Sequence, residues 1–335
     1  MNFASRIVST GHGIPSRLVT NEDLSKIVET NDEWIRSRTG IRERHFLDSD
    51  NGQYITDVAK EAAEKVILKS GVSRDEIDLV VFASISQETP MPNNASRMLG
   101  HLGLKNAAAF DINAACGGFI MGLHTVDALI RAGSHKKVLL FAGDALSAAL
   151  DMKDRSTCVL FGDGAGCALV ERIENPDRSK DSMILGSKIY SIFDSEMNLA
   201  IKGGNSRAPA WKPELHKEYP PFIQMNGQEV FKYAVKGMMR AATELLTEQK
   251  VTTQQIKWFV PHQANLRIIE MTAKMLDFPM DKVFVNIDRW ANTSAATVII
   301  ALSEMEEKGL LAKGDLVLMD VFGGGFNYGA ALVRW

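Results

Sequence analysis

The sequence predicts an α/β fold assembled from two copies of one unit, and three observations carry that expectation. The first is a repeated order of elements. "TDVAKEAAEKVILKSGVSRDEIDLVVFASIS", from Thr56, and "FKYAVKGMMRAATELLTEQKVTTQQIKWFVPHQ", from Phe231, each read as an alanine-rich amphipathic helix, a polar turn and a buried strand. The strands are predicted over 79–82 and 258–260. The second is a matched spacing: Cys116 and Asn292 each lie 17 residues before a glycine, Gly133 and Gly309, and the two stretches end alike in "GCALVER" and "GAALVRW". The third is composition. Strands such as "KVLLFAG" and "DLVLMDV" are apolar on both faces, as in sheets covered by helices on both sides. Alternating strands and helices favour right-handed crossovers and a largely parallel sheet. Ligands of such sheets bind beyond the strands' carboxyl ends, so two related halves imply one composite site with Cys116 facing Asn292.

The expected division is a first half over 1–184 with an insertion at about 21–45, a connecting segment over 185–222, and a second half over 223–335. The connection contains "KGGNSRAPAWKPELHKEYPP" and reads as irregular. Composition narrows the function. A net charge of -3 across 335 residues, with no basic run, gives no reason to expect nucleic-acid binding. No apolar run approaches the ~18 residues of a membrane helix, and the first residues lack a signal peptide's apolar core. Three cysteines are too few for a disulfide framework, which points to a reducing cytoplasm. No CxxC, HExxH or GxxxxGK[ST] signals a metal site or a P-loop.

Cys116 stands in "DINAACGGF", where a strand turns into a helix. A thiol there meets the positive end of the helix dipole and free N–H groups, which favour the nucleophilic thiolate. The competing role is a small core thiol, the usual one for free cysteine and the one assigned to Cys158 and Cys167. Gly117 and Gly118 each cost a helix about 1 kcal/mol relative to alanine, which favours a functional reason for the pair. His262 follows an apolar strand in "WFVPHQANLRIIE", where it can act as donor or base, or be satisfied by loop backbone. Asn292, in "RWANTSAATVII", can cap the next helix or face the site. Gly323 to Gly325 end a strand and allow close backbone approach. "FGDGAG", from Phe161, lacks the dinucleotide-loop spacing and reads as a turn between strands.

Together "TNDEWIRSRTGIRERH", "DINAACGGF", "FGDGAG", "VPHQANLRI", "NTSAA" and "FGGGFNYGAALVRW" resemble, in order and over nearly the whole chain, the thiolase-like condensing enzymes, and among them the β-ketoacyl-acyl-carrier-protein synthase III family. The resemblance implies a five-layered αβαβα sandwich of two βαβαβαββ halves, working as a homodimer. It implies a catalytic triad at Cys116, His262 and Asn292, and an oxyanion hole from the backbone N–H groups of Cys116 and Gly324. It places coenzyme A against Trp34, Arg38 and Arg155, and the acyl pocket at Met91 and Phe322, with Met91 contributed across the dimer interface. Lys232 and Arg267 match positions that dock an acidic carrier protein. The implied reaction joins an acyl-CoA primer to malonyl-acyl-carrier protein with loss of CO2, initiating fatty acid synthesis without a cofactor. The alternatives are a related condensing enzyme of secondary metabolism and a non-catalytic acyl-CoA-binding homologue. Met91 replaces a phenylalanine of acetyl-selective members, which implies a pocket for longer chains.

Overall fold

The computed structural model describes residues 3–204 and 206–335. In chain order the first strands are β1 (Phe3–Gly13), β2 (Arg17–Thr20), β3 (Glu43–Phe46), β4 (Leu79–Ala83), β5 (Ala108–Ile112), β6 (Lys137–Asp144) and β7 (Gly164–Glu174). They are followed by β8 (Met183–Ser191), β9 (Leu199–Ile201), β10 (Ile223–Met225), β11 (Trp258–Pro261), β12 (Leu316–Gly323) and β13 (Asn327–Arg334). The helices are α1 (Asn21–Ser25), α2 (Asp32–Thr39), α3 (Ile55–Ser70), α4 (Asn94–Leu102) and α5 (Gly118–Arg131), then α6 (Arg155–Cys158), α7 (Gly227–Gln249), α8 (Leu266–Met275), α9 (Ile287–Trp290) and α10 (Thr297–Glu307).

Two sheets carry the fold, one in the order β1-β7-β6-β4-β5 and the other β11-β12-β13-β8. Helices α5 and α10 lie between them, α3 and α4 cover the first sheet from outside, and α7 and α8 cover the second. The result is the five-layered αβαβα sandwich. Side-chain alternation explains it. Leu79, Val81 and Ala83 join the central cluster with Phe119, Ile120 and Leu123 of α5 and Ile299, Ile300 and Leu302 of α10. Val80 and Phe82 turn the other way, onto Val58, Ala59 and Ala62 of α3. Period-two strands with both faces apolar must be covered twice. α10 is buried along nearly its whole length, from Thr297 to Met305.

Three expectations need correction. The sheets are mixed rather than largely parallel: β4 pairs parallel with β5 and β6, and β11 with β12, whereas β7 and β13 run antiparallel to their neighbours. Only a short turn separates β12 from β13, and such a link cannot cross over to a parallel partner. Second, the segment 185–222 is not all connection. β8 begins at Met183 and pairs antiparallel with β13, so the second half starts inside the first half's predicted end. The Gly- and Pro-rich stretch that follows masked the strand. Its two ends meet again as β9 and β10.

Third, the matching elements around the site begin 179 residues apart in the two halves: Leu79 and Trp258, Gly118 and Thr297, Lys137 and Leu316. Under that offset Cys116 corresponds to Ala295, and Asn292 to Asn113. The glycines used as anchors are not equivalent, because α10 ends three residues sooner than α5 relative to its start (11 residues against 14). Local geometry agrees. Ala115 and Ser294, the first residues of the tight turns before the two helices, both take positive φ, 47° and 54°. Asn113 Oδ1 accepts from Ala115 N at 3.5 Å and Asn292 Oδ1 from Ser294 N at 2.9 Å.

Candidate active site

The two helix-opening turns pack against each other at the middle of the molecule. Their approach explains one of the paired glycines. A Cβ on Gly118 would lie 2.9 Å from Ala83 Cβ and 3.1 Å from Ala295 Cβ, so this glycine serves helix packing. Gly117 has ordinary room beside Asn327. The glycine that the nucleophile itself requires is Gly323, where a Cβ would sit 2.6 Å from Cys116 N.

Cys116 is 7% exposed at the floor of a cavity of about 1300 Å³. His262, Asn292, Phe322 and Gly324 line the same cavity. Burial pushes the Cys116 thiol up to about 12, and the charge of Asp144 acts in the same direction. The Ser294 hydroxyl, 3.5 Å from Sγ, and the cysteine's own N–H pull the other way. The helix-end thiol is therefore mainly protonated at rest, and the thiolate expected from the helix dipole is not the resting form.

His262 is set by the end of β11. Its N–H donates to Asp320 O at 2.9 Å, and Nδ1 lies 2.6 Å from Thr297 Oγ1. Gln263 ties the loop down, donating to Pro261 O and Phe284 O and accepting from Asn286 N. Complete burial depresses the imidazole to about 3, so it is neutral at physiological pH. A neutral ring whose Nδ1 is engaged by a hydroxyl can present Nε2–H as a donor. Asn292 is clamped by the "FGDGAG" loop: its N–H donates to Leu160 O at 3.0 Å and its carbonyl accepts from Gly162 N at 3.1 Å. That loop follows α6 and leads into β7, so it joins a helix to a strand rather than two strands. Cys158 and Cys167 are core thiols.

The insertion forms one wall of the cavity mouth. Its base is pinned by the buried Arg44, which donates to Asn21 Oδ1 at 2.7 Å and Val159 O at 2.8 Å. Asn265 caps α8 and also donates to Arg38 O at 3.2 Å, joining the insertion to the second half. Trp34, Arg38 and Arg155 line the mouth, with the guanidinium of Arg155 4.6 Å and that of Arg38 4.9 Å from the Trp34 ring. Lys232, on α7, and Arg267, on α8, also line the cavity and are exposed, Lys232 paired with Glu229 at 2.6 Å. Met91 is 86% exposed and does not line this chain's cavity. Ser294, Thr297, Gln263 and Asp144 escaped sequence reasoning. The 179-residue offset was the signal that would have singled out Ser294 and Thr297, since it places them opposite Ala115 and Gly118.

Comparisons with known proteins bear on the family and the fold. Residues 110–191 match the family model of 3-oxoacyl-[acyl-carrier-protein] synthase III, and residues 246–335 match the model of its C-terminal part. The chain is 41% identical to the β-ketoacyl-[acyl-carrier-protein] synthase III of Xanthomonas campestris, covering 99% of this chain and 98% of that protein. It is also 41% identical to the enzyme of that name from Roseiflexus castenholzii, covering 100% and 98%. Among solved structures, 3-oxoacyl-[acyl-carrier-protein] synthase III of Aquifex aeolicus superposes with a TM-score of 0.89 at 39% identity, covering 99% of this chain and all of that one. The priming β-ketosynthase of the R1128 polyketide pathway superposes equally well at 31% identity, covering 99% and 97%. With full-length identity of this order and the same sandwich, the chain belongs to the β-ketoacyl-[acyl-carrier-protein] synthase III family of condensing enzymes.

Proposed function

We propose that this chain condenses an acyl-CoA primer with malonyl-acyl-carrier protein, with loss of CO2, through an acyl group carried on Cys116. The observation that carries the reading is the convergence of Cys116, neutral His262 and Asn292 on one cavity whose mouth holds Trp34, Arg38 and Arg155. In the first half-reaction Cys116 Sγ attacks the primer thioester, and CoA leaves with its sulfur. The N–H groups of Cys116 and Gly324 receive the carbonyl oxygen; such a donor is worth about 3 kcal/mol in a barrier. In the second, the malonyl C–CO2 bond breaks and its electron pair moves into the thioester enolate. His262 Nε2–H and the Asn292 side-chain amide donate to that developing oxyanion. A neutral imidazole suits this role, since it donates without surrendering a proton. The enolate carbon then attacks the acyl carbonyl and releases Cys116. Thioester exchange and decarboxylation are redox-neutral, so the scheme calls on no cofactor.

The carrier protein, an acidic partner, docks beside Lys232 and Arg267 in this reading. Trp34 and Arg155 hold the CoA adenine, which requires the Arg155 guanidinium to swing off the ring. A homodimer is inferred, in which the exposed Met91 of each subunit enters the other's acyl pocket. The apolar wall of Val230, Ala234, Met238, Ile268 and Phe322 supports primers longer than acetyl. Among the described residues no helix is long and apolar enough to cross a membrane, which fits a cytoplasmic enzyme. The likeness to a priming ketosynthase of a polyketide pathway supports a second reading, the same chemistry feeding a specialised product. Incubation with malonyl-acyl-carrier protein and a series of acyl-CoAs tests both. CO2 release with a β-ketoacyl product is expected, with octanoyl-CoA accepted at least as well as acetyl-CoA. No product from any primer sinks the assignment, and strong acetyl preference sinks the Met91 argument.

A further inference from the structure

The thiol of Cys116 must lose its proton on attack, and His262 is a poor destination. That imidazole is depressed to about 3, and its Nδ1 already meets Thr297. The polar side chain that does reach the sulfur is Ser294, whose hydroxyl lies 3.5 Å from Sγ and is wholly buried. Ser294 is held there by its turn: Asn292 Oδ1 accepts its N–H at 2.9 Å. Behind it lies Asp144, at the end of β6 and 0% exposed. Oδ1 of Asp144 accepts from Ser84 Oγ (2.9 Å), Ile85 N (2.8 Å) and Ser86 N and Oγ (3.2 and 2.8 Å). Oδ2 is free of those donors and meets the N–H of Ala295, the residue after Ser294, at a long 3.4 Å, and the Ser294 hydroxyl favours the ionised carboxyl. The carboxylate is thus saturated on one oxygen, while its other oxygen lies beside the turn that carries Ser294.

We propose that Ser294 and Asp144 form a proton relay for Cys116, in which the serine hydroxyl takes the thiol proton as it gives its own to Asp144. The inference rests on Cys116 being the nucleophile. As Sγ bonds to the thioester carbonyl carbon, the S–H bond breaks and its proton moves to Ser294 Oγ. The Ser294 proton moves to Asp144 Oδ2, and the carbonyl π pair moves onto oxygen. On collapse the C–S bond to CoA breaks, its electron pair stays on the leaving sulfur, and the proton returns through Ser294 to that sulfur. One negative charge is present at every stage. This removes the cost of holding a thiolate beside an ionised carboxylate: the charge is moved, not duplicated. Burial favours protonation of Asp144, which makes it a competent acceptor.

The titratable groups on the elements that lead into or pack against the Cys116 turn are Asp111 on β5, His124, Asp127 and Arg131 on α5, Asp320 on β12 and Tyr328 and Arg334 on β13, together with His262 and Asp144, whose charge also raises Asp163. Of these, Asp144 is the one whose charge acts on Cys116.

The test is alkylation of Cys116 by iodoacetamide in the full chain, read at the Cys116 peptide by mass spectrometry from about pH 6.5 to 9. A thiol whose proton goes to an internal base reacts at a pH-independent rate, whereas one that releases it to solvent gains about tenfold per pH unit. The wild type is expected to be flat. Ser294→Ala and Asp144→Asn are expected to be at least tenfold slower near pH 7 and to rise with pH. If Asp144 acted only by repulsion, Asp144→Asn would react faster than wild type, which overturns the relay. A wild type that already rises tenfold per unit, or a Ser294→Ala profile identical to wild type, overturns it as well. Ser294→Ala decides alone should Asp144→Asn fail to fold. Because no thioester is used, failure of the relay and failure of the condensation reading are read separately.

Discussion

His262 Nδ1 and Thr297 Oγ1 stand 2.6 Å apart, joining the strand end of β11 to the first residue of α10. With the ring neutral, a Thr297 hydroxyl that donates to Nδ1 leaves the ring proton on Nε2, the nitrogen left for the enolate. Thr297→Val keeps the shape and removes the hydroxyl. Decarboxylation of malonyl-carrier protein should fall by roughly 10- to 100-fold, somewhat less than loss of a whole oxyanion donor. Acylation of Cys116 should stay near wild type, and equal loss in both half-reactions would refute the assignment.

The same burial has a sign in stability. His262 titrates at about 3 in the folded chain and near 6.5 when unfolded. Its contribution is complete above pH 6.5. As pH falls towards 3, the unfolded chain binds a proton that the folded chain refuses, and stability is lost at up to about 1.4 kcal/mol per pH unit. Denaturant melts from pH 7 to 5 should show His262→Gln losing less stability than wild type over that interval. Parallel curves would contradict the buried neutral ring.

Arg155 and Trp34 make a second checkable pair. Base stacking on an aromatic ring is worth about 1–3 kcal/mol, so Trp34→Ala should raise KM for acyl-CoA by roughly 10- to 100-fold. A pantetheine thioester, which lacks the adenine, should be affected little. Equal loss with both substrates would place Trp34 outside the nucleotide contact.

On the exposed faces of α7 and α8, Lys232→Glu and Arg267→Glu should raise KM for malonyl-carrier protein and flatten its dependence on salt, with acylation by acyl-CoA unchanged. Surface charges that steer an acidic partner act mainly on association and are screened within about 8–10 Å at ordinary ionic strength. Unchanged salt dependence would argue against this face.

Gly323→Ala would put a methyl 2.6 Å from Cys116 N, against backbone that cannot turn aside. Steady-state assays should show kcat falling by an order of magnitude or more, with a lower Tm. Wild-type activity would show that the turn has room to give.

The doubled α/β plan was legible because both faces of "KVLLFAG" and "DLVLMDV" are apolar and the helices between them are periodic. Cys116, His262 and Asn292 were legible as residues, but their pairing was not. The apparent equivalence of Cys116 and Asn292 came from matching glycines at helix ends, and helix length is the least constrained feature of such a repeat. Strand starts and turn openings preserve the register, because packing across the central layer fixes them. β8 was hidden by its neighbours' composition, and Asp144 by its position at the end of an apolar strand, where side-chain identity alone does not tell a buried acid from a capping one. The resting thiol also lay beyond sequence, since the helix end was visible and the depth of burial was not.

The central claim is that Cys116 carries the acyl group. Incubation with a series of acyl-CoAs followed by mass spectrometry of the intact chain and its peptides tests this directly. The account predicts one acyl adduct on the Cys116 peptide and none in Cys116→Ala. A folded wild type that takes no adduct from any acyl-CoA, or takes it on another residue, contradicts it.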